Sequence, residues 1–146
     1  MAERTESSIT VDAAPADVLA VIADLGSYPE WARAVKDVEV LSSRAGRPLQ
    51  ARFVVDSGPI KDTQVLEYTW PTGKTGTGTV SWRLVEADIT SKLDGAYELK
   101  KADAGTSVTY RLAVDVRIPM LGMLKRKAEK VIIDTALKEL KKRVEG

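Results

Sequence analysis

The chain has 146 residues, of which 44% are hydrophobic and 29% are charged, and this length and composition suit one globular domain, spanning residues 1–146. It contains no cysteine and no histidine, which excludes disulfides, thiolate or histidine metal sites, and Ser-His-Asp or cysteine nucleophile chemistry. A net charge of +1, from 22 basic and 21 acidic residues, gives no basic excess for nucleic acid, and no run approaches the about 18 apolar residues of a membrane span.

The amino-terminal third predicts one strand and two short helices. The strand is Ser7 to Val11, and the helix after it begins near Pro15 and places apolar residues three and four positions apart. In the segment SYPEW, Ser27 and Glu30 have the S-x-x-E spacing of a capping box, which predicts a second helix beginning at Ser27. The first ten residues carry no apolar core of a signal peptide, so a cytoplasmic location is expected.

Between Val35 and Val116 the apolar pattern has a period of two, which is typical of half-buried strands. Turn sequences such as AGRP and ADAGT separate the strands, and short connections predict an antiparallel meander. The predicted strands are Val38 to Leu41, Leu49 to Asp56, Asp62 to Trp70, Val80 to Val85, Ile89 to Leu99 and Ser107 to Val116.

After Pro119 the chain is rich in helix formers and predicts one long carboxy-terminal helix. Its apolar stripe begins with one set of residues and drifts to a second, as expected of a helix lying across a curved sheet. The first set is Leu121, Leu124, Ala128, Val131, Ile132 and Thr135, and the second is Ile133, Leu137, Leu140 and Val144. Residues 125–145 include eight basic and four acidic residues, a pattern more typical of a solvated helix face than of an anion-binding or membrane-binding surface.

Alternation along the strands places most of the aromatic side chains on one sheet face. Tyrosine and tryptophan need partners for their polar tips when buried, so a ligand cavity and a solid core with satisfied hydroxyls are both consistent with the pattern. Gln64 has the same parity as these aromatic residues. It either contacts a ligand or is turned to solvent by a bulge. Asp62 is expected to be exposed, because it lies close to a turn. The inward set includes Phe53, Tyr68, Trp70, Trp82, Tyr97 and Tyr110.

The order of elements and several motifs resemble those of a known group of proteins. The motifs are YPEW after the first helix, VSW in the fifth strand, and GTSVTYRLAVDV before PMLGMLKRKAE. They resemble the START-like helix-grip superfamily, specifically the bacterial polyketide cyclase/dehydrase and lipid-transport (SRPBCC) family, over essentially the whole chain. This resemblance implies an α+β fold in which a curved antiparallel sheet of about seven strands (β-α-α-β6-α) wraps around the carboxy-terminal helix.

The resemblance also implies a hydrophobic ligand cavity between sheet and helix, with Tyr28 and Trp31 near its mouth. Trp31 is equally compatible with a plug between its helix and the sheet. The expected function is binding, as a carrier or sensor, of a hydrophobic small molecule such as a lipid, a quinone or a polyketide-like compound, without a metal or cofactor. The expected ligand-binding residues are Tyr28, Trp31, Phe53, Gln64, Tyr68, Trp70, Trp82, Tyr97, Tyr110, Leu121 and Leu124.

Two alternatives to simple binding remain open. Aromatase/cyclase members of the family promote aldol closure and dehydration, which needs an internal proton donor or acceptor, and without histidine this leaves tyrosines and a carboxylate. Arg52, Arg83 and Arg111 have outward parity, and only Arg117, at the junction between strand and helix, has a position from which it could turn toward the mouth. The catalytic residues of such an enzyme therefore stay unassigned from the sequence. The second alternative is a protein-interaction module with a filled core.

Overall fold

The computed structural model describes residues 5–56, 61–73, 75–117 and 122–146, with no description of the side chains of residues 122–124. The chain forms strand β1 (Thr5–Val11), helix α1 (Pro15–Ala23), a 3-10 turn (Leu25–Ser27) and helix α2 (Tyr28–Trp31). The strands that follow are β2 (Val35–Arg44), β3 (Arg47–Asp56), β4 (Lys61–Thr69), β5 (Gly78–Ala87), β6 (Thr90–Ala102) and β7 (Gly105–Val116). Helix α3 (Gly122–Glu145) comes last.

The strands form a seven-stranded sheet in the order β1-β7-β6-β5-β4-β3-β2, and every neighbouring pair is antiparallel. The predicted meander is therefore confirmed, and β1 extends it by pairing with the last strand. Helix α3 packs against β1 and β7. This arrangement confirms the α+β helix-grip fold expected from the sequence.

The sheet bends where its register shifts. Val65 pairs with Glu86 but Leu66 pairs with Leu84, so β5 has one additional residue at Val85. Further shifts occur between β2 and β3 and near Thr90 between β6 and β7. Because a bulge increases the local twist and bends the strand that carries it, these shifts curve the sheet around α3.

The outward face of the sheet carries cross-strand ion pairs. Arg83 pairs with Glu67 at 2.6 Å and Arg111 pairs with Glu98 at 3.3 Å, while Arg52 pairs with Glu39. The parity predicted for the three arginines is therefore confirmed.

The second half of α3 closes one part of the interior completely. The side chains of Ile133, Leu137 and Leu140 are at most 2% exposed. They belong to one core cluster with residues of β1, α1 and β7, namely Val11, Val18, Leu19, Ile22 and Val108. The second set of the predicted helix stripe is thus confirmed as the packed one.

The first set of that stripe packs only in part: Ile132 lies against the core, whereas the side chains of Leu121 and Leu124 are outside the described part of the chain. Val131 is 58% exposed, and the buried residue in this part of α3 is Glu129, which is 1% exposed. Its carboxylate accepts hydrogen bonds from the Thr5 hydroxyl at 2.7 Å and from the backbone N–H of Val114 at 2.8 Å. Because both carboxylate oxygens have hydrogen-bond donors, Glu129 can be buried in a part of the helix where apolar periodicity predicts only hydrophobic residues to be buried.

The predicted capping box at the start of α2 is wrong. The Ser27 side chain forms no bond to the helix amides, and its hydroxyl donates to the Asp24 carboxylate at 2.7 Å. Ser27 already lies in a helical conformation at the end of the 3-10 turn, so its hydroxyl is not placed to cap α2.

Several basic residues of α3 form contacts within the chain. Lys125 pairs with Asp115 at 2.5 Å, Lys141 with Glu145 at 2.5 Å, and Arg143 with Glu30 at 3.1 Å. These pairs agree with a solvated helix face rather than a surface left open for an anionic partner. In the described parts of the chain, no helix has the length and apolar character needed to cross a membrane.

Candidate functional site

A pocket of about 500 Å³ lies between the inner sheet face, α3, and the segment that joins α2 to β2. Its interior is formed mainly by apolar and aromatic side chains, which is the general profile of a small-molecule site. The lining includes Tyr28, Trp31, Phe53, Gln64, Leu66, Tyr68, Trp82, Leu93, Tyr97, Tyr110, Leu112 and Val114, together with Ile132, Thr135 and Ala136 of α3.

A continuous row of aromatic rings forms the wall on the sheet side. The ring centroids of Phe53 and Tyr68 are 6.3 Å apart, those of Tyr68 and Trp82 5.7 Å, those of Trp82 and Tyr97 5.3 Å, and those of Tyr97 and Tyr110 4.7 Å. Each ring comes from a different strand, from β3 to β7. The rings are tilted against each other, a geometry that aromatic pairs favour, so the wall is a packed surface in its own right.

Gly95 makes room for the central ring of this wall. It pairs across strands with Trp82, and a Cβ atom at Gly95 would lie 2.3 Å from Cε2 of the Trp82 indole. Only a residue without a side chain lets the indole lie flat against the neighbouring strand. Gly95 therefore sets the depth of the pocket at Trp82.

Tyr28 and Trp31 belong both to the wall and to the packing of α2. Their rings meet edge to face with centroids 4.9 Å apart, and both line the pocket. The Tyr28 hydroxyl donates to the backbone carbonyl of Ile22, so it is bound within the protein. The indole N–H of Trp31 is buried and has no hydrogen-bond partner within the described ranges, so Trp31 serves as apolar surface.

Three tyrosine hydroxyls border the open space of the pocket. The hydroxyls of Tyr68, Tyr97 and Tyr110 have no hydrogen-bond partner among the described residues. Their oxygen atoms are accessible, and all three residues line the pocket. Burial raises the pKa of each of these phenols above its ordinary value, and for Tyr68 and Tyr97 the neighbouring phenols raise it further. All three hydroxyls therefore stay protonated at neutral pH and can donate to, or accept from, a bound molecule.

Gln64 faces inward, which settles the alternatives left open for it. Its side chain is 5% exposed, lines the pocket, and donates through Nε2 to the Thr90 hydroxyl at 3.0 Å. The ladder between β3 and β4 is regular here, with Gln64 opposite Phe53, so no bulge turns the amide to solvent.

The expected exposure of Asp62 is wrong, because this residue is only 7% exposed. Its carboxylate accepts the backbone N–H groups of Asp88 at 3.0 Å and Ile89 at 3.1 Å, in the turn after β5, and of Thr90 at 2.7 Å, the first residue of β6. Burial alone raises the pKa of Asp62, but the adjacent Thr90 side chain and the hydrogen bonds from backbone amides outweigh burial, so the pKa is lowered. The carboxylate holds the turn together and is not available for chemistry in the pocket.

Other expected site residues lie elsewhere. Trp70 is not part of the lining: its indole stacks on Tyr68 with centroids 5.3 Å apart and donates to the Pro48 carbonyl at 2.6 Å. Arg117 does not turn toward the mouth but donates through Nε to the Asp88 carbonyl at 3.1 Å. Leu121 lies outside the described residues, and the Leu124 side chain is likewise not described.

The exposed members of the lining define the mouth of the pocket. Arg33 and Lys36 lie on one side, in the segment after α2, and Val131 and Thr135 lie on the other, on α3. Glu139 joins the two sides by accepting the backbone N–H of Arg33 at 3.1 Å. Sequence reasoning missed Arg33, Lys36 and Glu139, because nothing in apolar periodicity marks which charged residues meet across a gap.

The chemistry that this lining supports is mainly that of binding. It offers aromatic and aliphatic surface, protonated phenols and one amide, whereas the carboxylates that line it, Asp56 and Glu139, belong to residues only partly buried. A general base needs a group that is unprotonated near neutral pH and within reach of a substrate, which the phenols are not. The phenols can act as hydrogen-bond donors to a carbonyl or a developing oxyanion.

Comparison with known proteins agrees with this fold. Residues 2–145 match the model of the family described as polyketide cyclase / dehydrase and lipid transport, and the chain belongs to that family. No curated protein matches the sequence.

Among solved structures, the chain is similar to a START superfamily protein from Mycobacterium smegmatis, with a TM-score of 0.88, 21% identity, and coverage of 98% of this chain and 97% of that one. A protein from Thermus thermophilus gives a TM-score of 0.79 and 22% identity over 97% and 96% of the two chains. The Zhui aromatase/cyclase from a Streptomyces species gives 0.76 and 18% identity over 99% and 94%. At these identities the likeness concerns the fold alone.

Proposed function

We propose that this protein binds a hydrophobic or aromatic small molecule in the pocket between sheet and α3, as a carrier or sensor in the cytoplasm. The observation that carries the proposal is the pocket itself, about 500 Å³ with a wall of tilted aromatic rings. A volume of this size lies in the usual range, roughly 300–1,000 Å³, of small-molecule sites. Membership of a family of polyketide cyclases, dehydrases and lipid-transport proteins supports the same ligand class.

Several of the expected ligand-binding residues are part of this proposal. Phe53, Tyr68, Trp82, Tyr97 and Tyr110 would contact the flat faces of a ligand, with Tyr28 and Trp31 closing one end. The phenol and amide groups would fix its orientation, since an apolar wall alone discriminates weakly between ligands of similar shape.

A variant that fills the pocket tests this proposal. Ala136 lines the pocket from α3, so Ala136→Phe should occupy space that the ligand needs and reduce binding of the fluorescent probe 8-anilinonaphthalene-1-sulfonate at least tenfold. Lys138→Phe is the matched control, because Lys138 is exposed on the same helix and does not line the pocket. Equal probe binding by wild type and both variants, with all three folded, would contradict the proposal.

The alternative is an aromatase/cyclase that closes a poly-ketone chain by aldol chemistry. The observation in its favour is the group of phenols, since protonated donors at the wall would stabilise an enolate or alkoxide oxygen as it forms. Tyr68→Phe and Tyr110→Phe should then lower turnover of a poly-ketone substrate while leaving its affinity within about twofold, because an interaction made in the transition state affects kcat rather than binding. If neither variant changes turnover, or no such substrate is cyclised by the wild type, the enzymatic alternative is wrong.

A further inference from the structure

The side of α3 that lines the pocket includes an acidic residue. Four residues of the helix recur at spacings of three and four positions, so they share one helix face, and all four line the pocket. They are Ile132, Thr135, Ala136 and Glu139. Glu139 is partly buried, so a negative charge is part of the lining on the side of the helix.

Only one oxygen of the Glu139 carboxylate is bound within the described part of the protein. Oε2 accepts the backbone N–H of Arg33 at 3.1 Å, whereas Oε1 is accessible and has no hydrogen-bond partner among the described residues. None of the ion pairs formed by the described residues includes Glu139. Its charge therefore has no cationic partner in these parts of the chain.

The other charged residues of the lining do not neutralise this charge. Asp56 is itself acidic, and it pairs with Lys61 at 3.9 Å. Arg33 and Lys36 are basic but exposed, and Lys36 Nζ donates to the Arg33 carbonyl at 3.0 Å. Because water and salt screen exposed charges more than partly buried ones, Glu139 contributes more to the potential inside the pocket than these two residues do.

The carboxylate also acts on the aromatic wall. Burial and then the phenols of Tyr110 and Tyr28 raise the pKa of Tyr97, and the charge of Glu139 raises it further. The carboxylate thus lies close enough to the wall for its field to reach a phenol on the sheet. The faces of tyrosine and tryptophan rings attract cations, so the wall and Glu139 favour the same sign of charge in a ligand.

We propose that Glu139 makes the site selective for a cation, namely a hydrophobic or aromatic molecule that carries a protonated amine. The ammonium group would donate to Oε1 of Glu139 while the apolar body lies against the aromatic wall, and the backbone N–H of Arg33 holds Oε2 in place. The inference rests on the proposed binding function and adds to it the charge of the ligand.

Three pyrene derivatives of similar size test the inference. At neutral pH 1-pyrenemethylamine is a cation, 1-pyrenemethanol is neutral and 1-pyrenecarboxylate is an anion. Fluorescence titration of the wild type should give the amine an affinity about 3- to 20-fold higher than that of the alcohol, as expected for a charge-assisted hydrogen bond partly screened by solvent, and the carboxylate the lowest affinity. The preference for the amine should shrink as the ionic strength rises.

Glu139→Gln removes the charge but keeps an oxygen that can accept the Arg33 N–H. It should abolish the preference for the amine and raise the affinity for 1-pyrenecarboxylate and for 8-anilinonaphthalene-1-sulfonate, which is also an anion. Binding of the alcohol should stay within about twofold, which shows that the pocket is intact. Asp134→Asn is the matched control, because it removes the same charge from the same helix, but Asp134 pairs with Lys130 at 3.3 Å and does not line the pocket. It should keep the preference.

The outcomes distinguish this inference from the proposed function. If the wild type binds the alcohol but binds the carboxylate at least as tightly as the amine, the exposed basic residues of the mouth outweigh Glu139, and the inference is wrong while binding stands. The inference is equally wrong if Glu139→Gln keeps the preference for the amine as Asp134→Asn does. If the wild type binds none of the pyrenes and no 8-anilinonaphthalene-1-sulfonate, the proposed binding function fails, and the inference that depends on it fails too.

Discussion

Helix α3 meets the rest of the protein through two adjacent faces that differ in packing. On one face Ile133, Leu137 and Leu140 interlock with aliphatic side chains of β1, α1 and β7 and leave almost no surface exposed. On the other face Thr135 and Ala136 line the pocket together with the aromatic wall of the sheet.

The difference follows from the shapes of the side chains on each side. Branched aliphatic residues fit between one another and fill the space, as in the interiors of most proteins. The aromatic rings of the wall instead contact one another along the sheet, and the pocket separates them from the α3 residues Thr135 and Ala136. One helix therefore supplies stability from one face and a pocket from the next, which should make the two properties separable by mutation.

The largest effect is expected in the aliphatic core. Leu140 is fully buried, so Leu140→Ala should lower the free energy of unfolding by about 2–5 kcal/mol, with probe binding by the folded protein unchanged. Ile132→Ala is the comparison on the pocket face, and it should cost less stability because this side chain is only partly buried. Urea denaturation of both variants measures the difference, and equal losses would mean that the two faces are packed alike.

Asp62→Asn tests the turn behind the pocket wall. An asparagine places an N–H₂ group or an uncharged oxygen before the same backbone amides, so unfolding free energy should fall by about 1.5–3 kcal/mol at neutral pH. Since the pKa of Asp62 is lowered from its ordinary 3.8, the unfolded state binds more protons, and this contribution is complete above about pH 4.

The stability difference between wild type and Asp62→Asn should accordingly shrink as the pH falls from about 4 through the lowered pKa of the folded state. Urea denaturation at several pH values measures it. A difference that stays constant down to about pH 2, or grows in acid, would show that the carboxylate is not held by the turn amides.

Gly95→Ala tests the wall directly. The added Cβ collides with the Trp82 indole, so we expect a loss of about 1–3 kcal/mol together with an altered Trp82 environment in near-ultraviolet circular dichroism and weaker probe binding. Gly26→Ala is the matched control, since a Cβ at Gly26 would meet nothing within 4 Å. If Gly95→Ala behaves like Gly26→Ala, the indole does not lie against Gly95.

The smallest effect is expected at Trp31. Trp31→Phe removes a buried indole N–H that has no partner in the described parts of the chain. The loss of buried ring area and the removal of this unsatisfied donor should offset each other, so the free energy of unfolding should change by no more than about 1 kcal/mol. Trp70→Phe loses the bond from its indole to the Pro48 carbonyl and should cost more. Thermal denaturation of the two variants checks this order, and a larger loss for Trp31→Phe would contradict it.

Much of the fold and part of the wall could be predicted because both follow from local periodicity. Alternation assigned Phe53, Tyr68, Trp82, Tyr97 and Tyr110 to one face, and all five line the pocket. The alternation of apolar and polar residues is visible within a single strand, so these assignments did not depend on distant parts of the chain.

The failures concern residues whose environment comes from distant segments. The backbone amides that donate to the Asp62 carboxylate belong to residues 88–90. The groups that donate to the Glu129 carboxylate belong to β1 and β7. Trp70 has the parity of the wall, but it lies just after the end of β4, and its indole donates to the Pro48 carbonyl instead. Polar satisfaction of this kind is a tertiary property that periodicity does not encode.

Native mass spectrometry of the protein, purified from cells without denaturation, tests the central claim most directly. The account predicts a complex heavier than the chain by the mass of one small molecule, which denaturing extraction releases and which Ala136→Phe, but not Lys138→Phe, fails to retain. A wild type that shows only the bare chain mass and does not bind 8-anilinonaphthalene-1-sulfonate would contradict a ligand site between the sheet and α3 and would favour a role in binding protein partners.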